Sequence, residues 1–183
     1  MHVLDKFKYC PVCGSSRFVV NNIKSKRCEN CGFVYYLNPS AATAAFIIDD
    51  QQRLLCVKRR FEPAKGTLDL PGGFVDMDET IEQGMAREVN EETHLTVSSL
   101  RFLFSIPNLY VYSGFTVHTT DCYFLCRVDN LEPLHAADDA ESLQWIPLDE
   151  IDYRKFGFTS TQTAIQRLMA QKDQILSGKC GKE

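Results

Sequence analysis

The chain has 183 residues, 44% of them apolar and 24% charged, with a formal net charge of −4. A chain of this length builds one domain with an appendage and buries a core without covalent staples. The negative balance excludes a polycationic nucleic-acid binder, and the longest apolar stretch, "AAFII", is far short of the roughly 18 apolar residues of a membrane-spanning helix.

The charge is unevenly spread. Residues 1–37 carry six Lys/Arg against Asp5 and Glu29, a net of +4, which leaves −8 for the rest. The opening "MHVLDKFKYCPVCG" has no apolar h-region, so the sequence predicts a cytoplasmic protein. Eight cysteines in such a chain argue for metal or free thiols rather than disulfides.

From the N-terminus, Cys10-Pro-Val-Cys13 and Cys28-Glu-Asn-Cys31 form two CxxC turns separated by fourteen residues. This is one short of the usual spacing of about 15–20. Each turn brings two thiolates together, and two turns supply the four sulfurs of a tetrahedral zinc site. Cys13 and Cys31 are each followed by glycine, which suits a tight metal-binding knuckle. Between the turns, "RFVV" and "KSKR" read as short strands joined at Asn21-Asn22. A disulfide pair or a redox CxxC is the alternative, but nothing like a thioredoxin unit surrounds them. The expectation is a small four-cysteine zinc ribbon over 1–38, with a second domain over 39–183.

The composition shifts at Ala41. "AATAAFIID" reads as a strand, 49–52 as a turn and "RLLCVKRR" as the returning strand. A Pro- and Gly-rich loop, "FEPAKGTLDLPGGF", leads to a helix over Ile81–Thr93. "RFLFSIPNLYVY" and "FTVHTTDCYFLCRV" form a hairpin around Ser113-Gly114. "LEPLHAADDAE" is an acidic loop, "SLQWIPL" a short strand, and 159–175 a closing helix. Strands with two helices predict an α+β fold or a mixed sheet between helices. Cys56, Cys122, Cys126 and Cys180 lack metal spacing and are given no function; the first three sit in strand-like context, where small buried thiols are common.

Residues 72–95 hold seven carboxylates, five of them glutamates between 79 and 92. Thr80 reads as an N-cap with Gln83 completing a capping box. Ile81, Met85 and Val89 recur every fourth residue and form the buried stripe. Glu88, Glu91 and Glu92 project together beside that stripe, at spacings that make their side chains neighbours. Like charges so placed destabilise a helix, and more so where water is scarce. A hard divalent cation, Mg²⁺ or Mn²⁺, resolves the conflict by taking several oxygens. A solvated acidic face is the alternative, but Leu70-Pro71-Gly72-Gly73 precedes the helix and lets backbone approach a ligand closely.

Gly73, Glu79, Arg87-Glu88-Val89, Glu91-Glu92 and Leu95 stand at spacings that resemble the Nudix box, Gly-x5-Glu-x7-Arg-Glu-aliphatic-x-Glu-Glu-x-Gly-aliphatic, at eight of nine defined positions. The departure is His94, where the pattern has a glycine that ends the helix in a left-handed turn. Either histidine takes that conformation at a cost of roughly 1 kcal/mol, or the helix ends differently.

The resemblance, over 41–175, implies an αβα sandwich with a mixed central sheet, and hydrolysis of a nucleoside diphosphate linked to a moiety X. By position it implies Mg²⁺ on Glu88, Glu91 and Glu92 with help from the Gly72 carbonyl, and Glu79 with Arg87 as an orienting pair. Glu91 or Glu92 is the candidate general base; so is Asp139 or Glu141 in the acidic loop, each also a candidate metal ligand. The ribbon ahead of the box resembles the NADH pyrophosphatase branch, which implies a homodimer. Tyr36 matches a substrate-contacting tyrosine of that branch, with domain packing as the alternative. Of the branch's downstream Ser-Gln-Pro-Trp-Pro-Phe-Pro signature only Ser105 and Pro107 remain, which leaves NAD(H) specificity open; Tyr110 and Tyr112 either line a base pocket or simply alternate along a strand. The expected substrate is ADP-ribose or NAD(H)-like. The alternatives are a nucleoside triphosphate pyrophosphatase and a ribbon-based nucleic-acid-binding protein, for which the carboxylate set has no use.

Overall fold

The computed structural model describes residues 2–177, so Cys180 lies outside the described residues. The chain divides into two compact units, Met1–Pro39 and Ser40–Glu183. No helix among the described residues is long and apolar enough to cross a membrane.

The first unit is an antiparallel sheet of β1 (Phe18–Asn22), β2 (Ser25–Cys28) and β3 (Val34–Tyr36) in that order. Its turn lies at Ile23-Lys24, not at Asn21-Asn22. Asn22 stays paired with Ser25, and its side-chain oxygen accepts the Lys24 N–H at 3.0 Å, closing an Asx turn one step further on. The core is Cys10, Phe18 and Cys28, with Phe33 and Tyr35 against it. Lys26 is buried but not orphaned: its Nζ donates to the Phe7 carbonyl at 2.6 Å and lies 5.2 Å from the Phe18 ring centre.

The second unit has a mixed sheet of β4 (Ser40–Ile47), β8 (Phe115–Val128) and β7 (Val97–Tyr112), with β4 parallel to β8 and β7 antiparallel to it. A second, antiparallel sheet holds β6 (Leu68–Asp69), β5 (Arg53–Arg59) and β9 (Ala140–Pro147). Alternation along the strands sorts side chains onto two faces. Ala44, Phe46, Leu54, Cys56 and Tyr123 join Ala164, Ile165 and Leu168 of α2 (Thr159–Ala170). Ala45, Ile47, Leu55, Cys122 and Phe124 join Met85 and Val89 of α1 (Ile81–Thr93). The strands lie between two helical layers, the αβα sandwich, and Cys56, Cys122 and Cys126 are buried free thiols within it.

Three elements differ from the sequence reading. The Gly/Pro loop contains β6, paired with Val57 and Lys58 of β5. The first hairpin strand begins at Val97 rather than 101. The closing helix breaks at Gln171 (φ −120°, ψ 21°), which leaves a short α3 (Lys172–Leu176).

Candidate active site

Helix α1 starts and stops where its local chemistry says. The Thr80 hydroxyl accepts the Gln83 N–H at 3.2 Å, and the Gln83 side-chain oxygen accepts the Thr80 N–H at 2.8 Å. At the other end His94 does take the left-handed conformation, with φ 58°, and its N–H donates to the Asn90 carbonyl at 2.8 Å.

Glu88, Glu91 and Glu92 stand together on this helix. Arg87 binds two of them through Nη1, to Glu88 Oε1 and Glu91 Oε2, both at 2.8 Å. The same guanidinium grips Glu79 in a fork, Nε to Oε1 at 2.8 Å and Nη2 to Oε2 at 3.1 Å, and donates to the Phe74 carbonyl at 2.9 Å. Glu79 also accepts the Asp76 N–H at 3.0 Å. These bonds hold the Glu79 carboxyl below its ordinary range, the Arg87 pairing first.

Glu92 is buried, and its Oε2 accepts the Gly72 N–H at 3.0 Å. Burial pushes the carboxyls of Glu92 and Glu88 up, Glu92 furthest, with neighbouring carboxylates adding to it. Arg87 and Gly72 engage one oxygen of each glutamate. The second oxygens (Glu88 Oε2, Glu91 Oε1, Glu92 Oε1) take no protein partner among the described residues. Three neighbouring carboxylates, graded from buried Glu92 through half-buried Glu88 to exposed Glu91 and with one uncommitted oxygen apiece, fit a hard divalent cation.

The preceding loop fits around that set. A Cβ at Gly72 (φ 153°) would lie 2.1 Å from the Thr43 carbonyl oxygen of β4, and one at Gly73 would lie 2.6 Å from the Glu88 carboxylate. The two glycines therefore let loop, strand and helix meet.

All of this opens into a cavity of about 320 Å³. Gly72, Gly73, Arg87, Glu88, Glu91 and Glu92 line it, and Asp139 lines it from the acidic loop. Glu79 acts on it through Arg87. Glu141 does not line it: β9 begins at Ala140, whose side chain turns into the core, and alternation sends Glu141 to Lys58 Nζ at 3.0 Å. Asp138 lines the cavity instead.

The aromatic part of the lining was not legible in the sequence apart from Tyr110. Tyr110 meets Phe158 at 5.5 Å and Phe74 at 5.5 Å between ring centres, and Asn108 lies beside them in the lining. Tyr112 is exposed and outside the lining. Below, Arg59 Nη1 donates to Asp69 at 3.0 Å, Thr161 donates to Asp69 at 3.2 Å, and Ser160 and Thr119 donate to Asp121 at 2.7 and 2.6 Å. The two carboxylates sit at the N-terminus of α2, where the helix dipole favours negative charge. Burial still pushes the Asp69 carboxyl up. Only Asp69, two residues from Pro71 in "LDLPGG", had any sequence cue.

A family model for the NUDIX domain matches residues 38–167. The chain belongs to the Nudix hydrolase family. Over 118 residues it is 36% identical to an ADP-ribose pyrophosphatase of Methanocaldococcus jannaschii, covering 63% of this chain and 66% of that one. Over 106 residues it is 30% identical to an NAD-capped RNA hydrolase NudC of Vibrio atlanticus, covering 58% of this chain and 39% of that one. The chain thus spans less than two thirds of either curated relative. A NUDIX hydrolase structure from Nitrosomonas europaea shares the fold, with a TM-score of 0.71 at 20% identity, covering 91% of this chain and 92% of that one.

The Nudix domain is accompanied by a second cluster, in the ribbon unit. The sulfurs of Cys10, Cys13, Cys28 and Cys31 lie within 4.8 Å of one another, with Cys10–Cys31 at 3.7 Å and Cys13–Cys28 at 3.6 Å. A tetrahedron with metal–sulfur bonds of ~2.3 Å has edges of about 3.8 Å, so the donor set fits zinc. The two knuckles are alike: Cys10 N–H donates to Ser15 O and Gly14 N–H to Cys10 O, as Cys28 N–H does to Phe33 O and Gly32 N–H to Cys28 O. Gly14 and Gly32 carry φ of 70° and 79°, which glycine tolerates freely. The Cys13 thiol is held down to about 6, first by the Ser15 backbone and then by the Asn30 amide. Tyr36 stands on β3 of this unit with its ring half exposed.

Proposed function

We propose that the protein is a Mg²⁺-dependent pyrophosphohydrolase that cleaves a nucleoside diphosphate derivative, of the ADP-ribose or NAD(H) type, to a nucleoside monophosphate and phosphorylated X. One observation carries the reading: three glutamates, each with an uncommitted oxygen, share a cavity whose lining also holds the Tyr110–Phe158 aromatic pair. The carboxylates suit a cation with its diphosphate, and the Tyr110–Phe158 pair suits a stacked base. Two relatives, named for ADP-ribose and for NAD-capped RNA, support a two-part diphosphate.

Glu88, Glu91 and Glu92 would hold the cation, with the Gly72 carbonyl. Bound there, Mg²⁺ neutralises diphosphate charge and lowers the pKa of a water. Glu79 fixes Arg87, and Arg87 fixes the carboxylate rotamers of Glu88 and Glu91. Asp138 and Asp139, whose charges reach Glu88 and Glu92 in the same lining, would take the water's proton, with Glu91 and Glu92 as the other candidates. Zn²⁺ on the four cysteines would hold the ribbon together.

The test is a panel of ADP-ribose, NADH, a nucleotide sugar and a nucleoside triphosphate with Mg²⁺, products identified by mass. The expected result is cleavage within the diphosphate of a two-part substrate, lost by at least about a hundredfold in a Glu91→Gln/Glu92→Gln variant. Undiminished turnover in that variant would sink the catalytic assignment. Preference for the triphosphate would replace the substrate class.

A further inference from the structure

The chemistry above makes no use of His94, the single departure from the box. Glycine occupies φ 58° without strain, so histidine there needs a compensating contact. The contact is His135. The two imidazoles lie face to face, ring centres 3.7 Å apart and planes 11° from parallel.

His135 belongs to the loop that carries Asp138 and Asp139 into the cavity. The loop docks on the last carbonyls of α1, which lack partners within the helix. His135 N–H donates to Thr93 O at 3.3 Å and Ala137 N–H to Glu92 O at 3.0 Å. Beyond them Arg60 grips the C-terminal side: its N–H reaches Asp139 O at 3.0 Å, Nη1 reaches Asp138 O at 2.7 Å and Nη2 reaches Ala140 O at 2.8 Å. On the N-terminal side Leu134 packs against the core cluster of Met85, Val89 and Leu95, and the ring stack adds a second side-chain contact next to it.

The geometry points to His94 as a positioning residue: its ring, stacked on His135, latches this loop to the end of α1 and so sets Asp138 and Asp139 against the glutamates. The latch is read from the fold, and its kinetic consequence rests on the proposed function.

The test begins with His94→Gly, which relieves backbone strain while removing the stack. The melting temperature should hold or rise. Amide exchange over 134–139 should quicken by roughly three- to tenfold, the worth of one aromatic stack, and turnover should fall by a similar factor. His135→Ala should do the same to exchange and turnover, the double variant should add little, and His135→Phe should restore the wild-type values by restoring a ring. Unchanged exchange and turnover in His94→Gly would overturn the latch. So would a lowered melting temperature with faster exchange throughout the Nudix unit, which marks a merely structural residue. If the wild type cleaves nothing in the panel but the exchange results hold, the proposed function fails and the latch stands.

Discussion

Gly72 and Gly73 are neighbours, yet a methyl group added at each meets different atoms. At Gly72 it strikes the backbone of β4, which cannot yield; Gly72→Ala should cost about 2 kcal/mol or more in a urea titration. At Gly73 the three nearest atoms all belong to the Glu88 carboxylate, the far end of a side chain that can swing away. Gly73→Ala should therefore cost under about 1 kcal/mol while turnover falls at least about tenfold, because the carboxylate has left its place. Glu92 offers the converse. Its charge is buried and unfavourable, and an amide oxygen can still accept the Gly72 N–H. Glu92→Gln should leave metal-free stability unchanged or raised by ~1 kcal/mol and weaken Mn²⁺ uptake, read by calorimetry.

At the scale of the element, α1 is legible over Ile81–Thr93 because its signals are local: a capping box and an apolar stripe of Ile81, Met85 and Val89, while the left-handed turn at His94 is settled by the structure. Thr80→Ala should cost ~1 kcal/mol, because the Gln83 N–H loses its acceptor. The β4–β5 turn gives a pH test. Asp49 Oδ1 accepts the Gln51 and Arg53 N–H groups, and Oδ2 accepts Arg53 Nε at 2.7 Å. Burial alone would raise this carboxyl; the Arg53 bonds outweigh it and hold the pKa below the ordinary value. A lowered folded pKa contributes stability in full above the unfolded value of about 3.9, and the contribution is lost as pH falls through the folded value. Wild type should therefore be more stable than Asp49→Asn at neutral pH and lose that advantage under acid. Two-residue β6 and the break at Gln171 had no comparable local signal. β6 exists only because β5 pairs with it, and nothing in "MAQKDQ" forbids a continuous helix.

At the scale of the molecule, the two units should respond separately to metal removal. A strong zinc chelator should speed amide exchange across residues 2–39 and leave the second unit's core protected, because a core of Cys10, Phe18 and Cys28 with Phe33 and Tyr35 against it is too small to hold the ribbon without the metal. Full protection of the ribbon under chelation would contradict a structural zinc. The sequence by itself determined the cysteine knuckles, the boundaries of α1 and the shared face of Glu88, Glu91 and Glu92, since turn and helix geometry fix neighbours a few residues apart. Only the tertiary structure decided that Asp138 rather than Glu141 reaches the cavity, that Tyr110 and Phe158 meet in its lining, and that His94 finds His135. Those pairings join residues distant in the chain, and strand register and loop docking, which no short window of sequence encodes, bring them together.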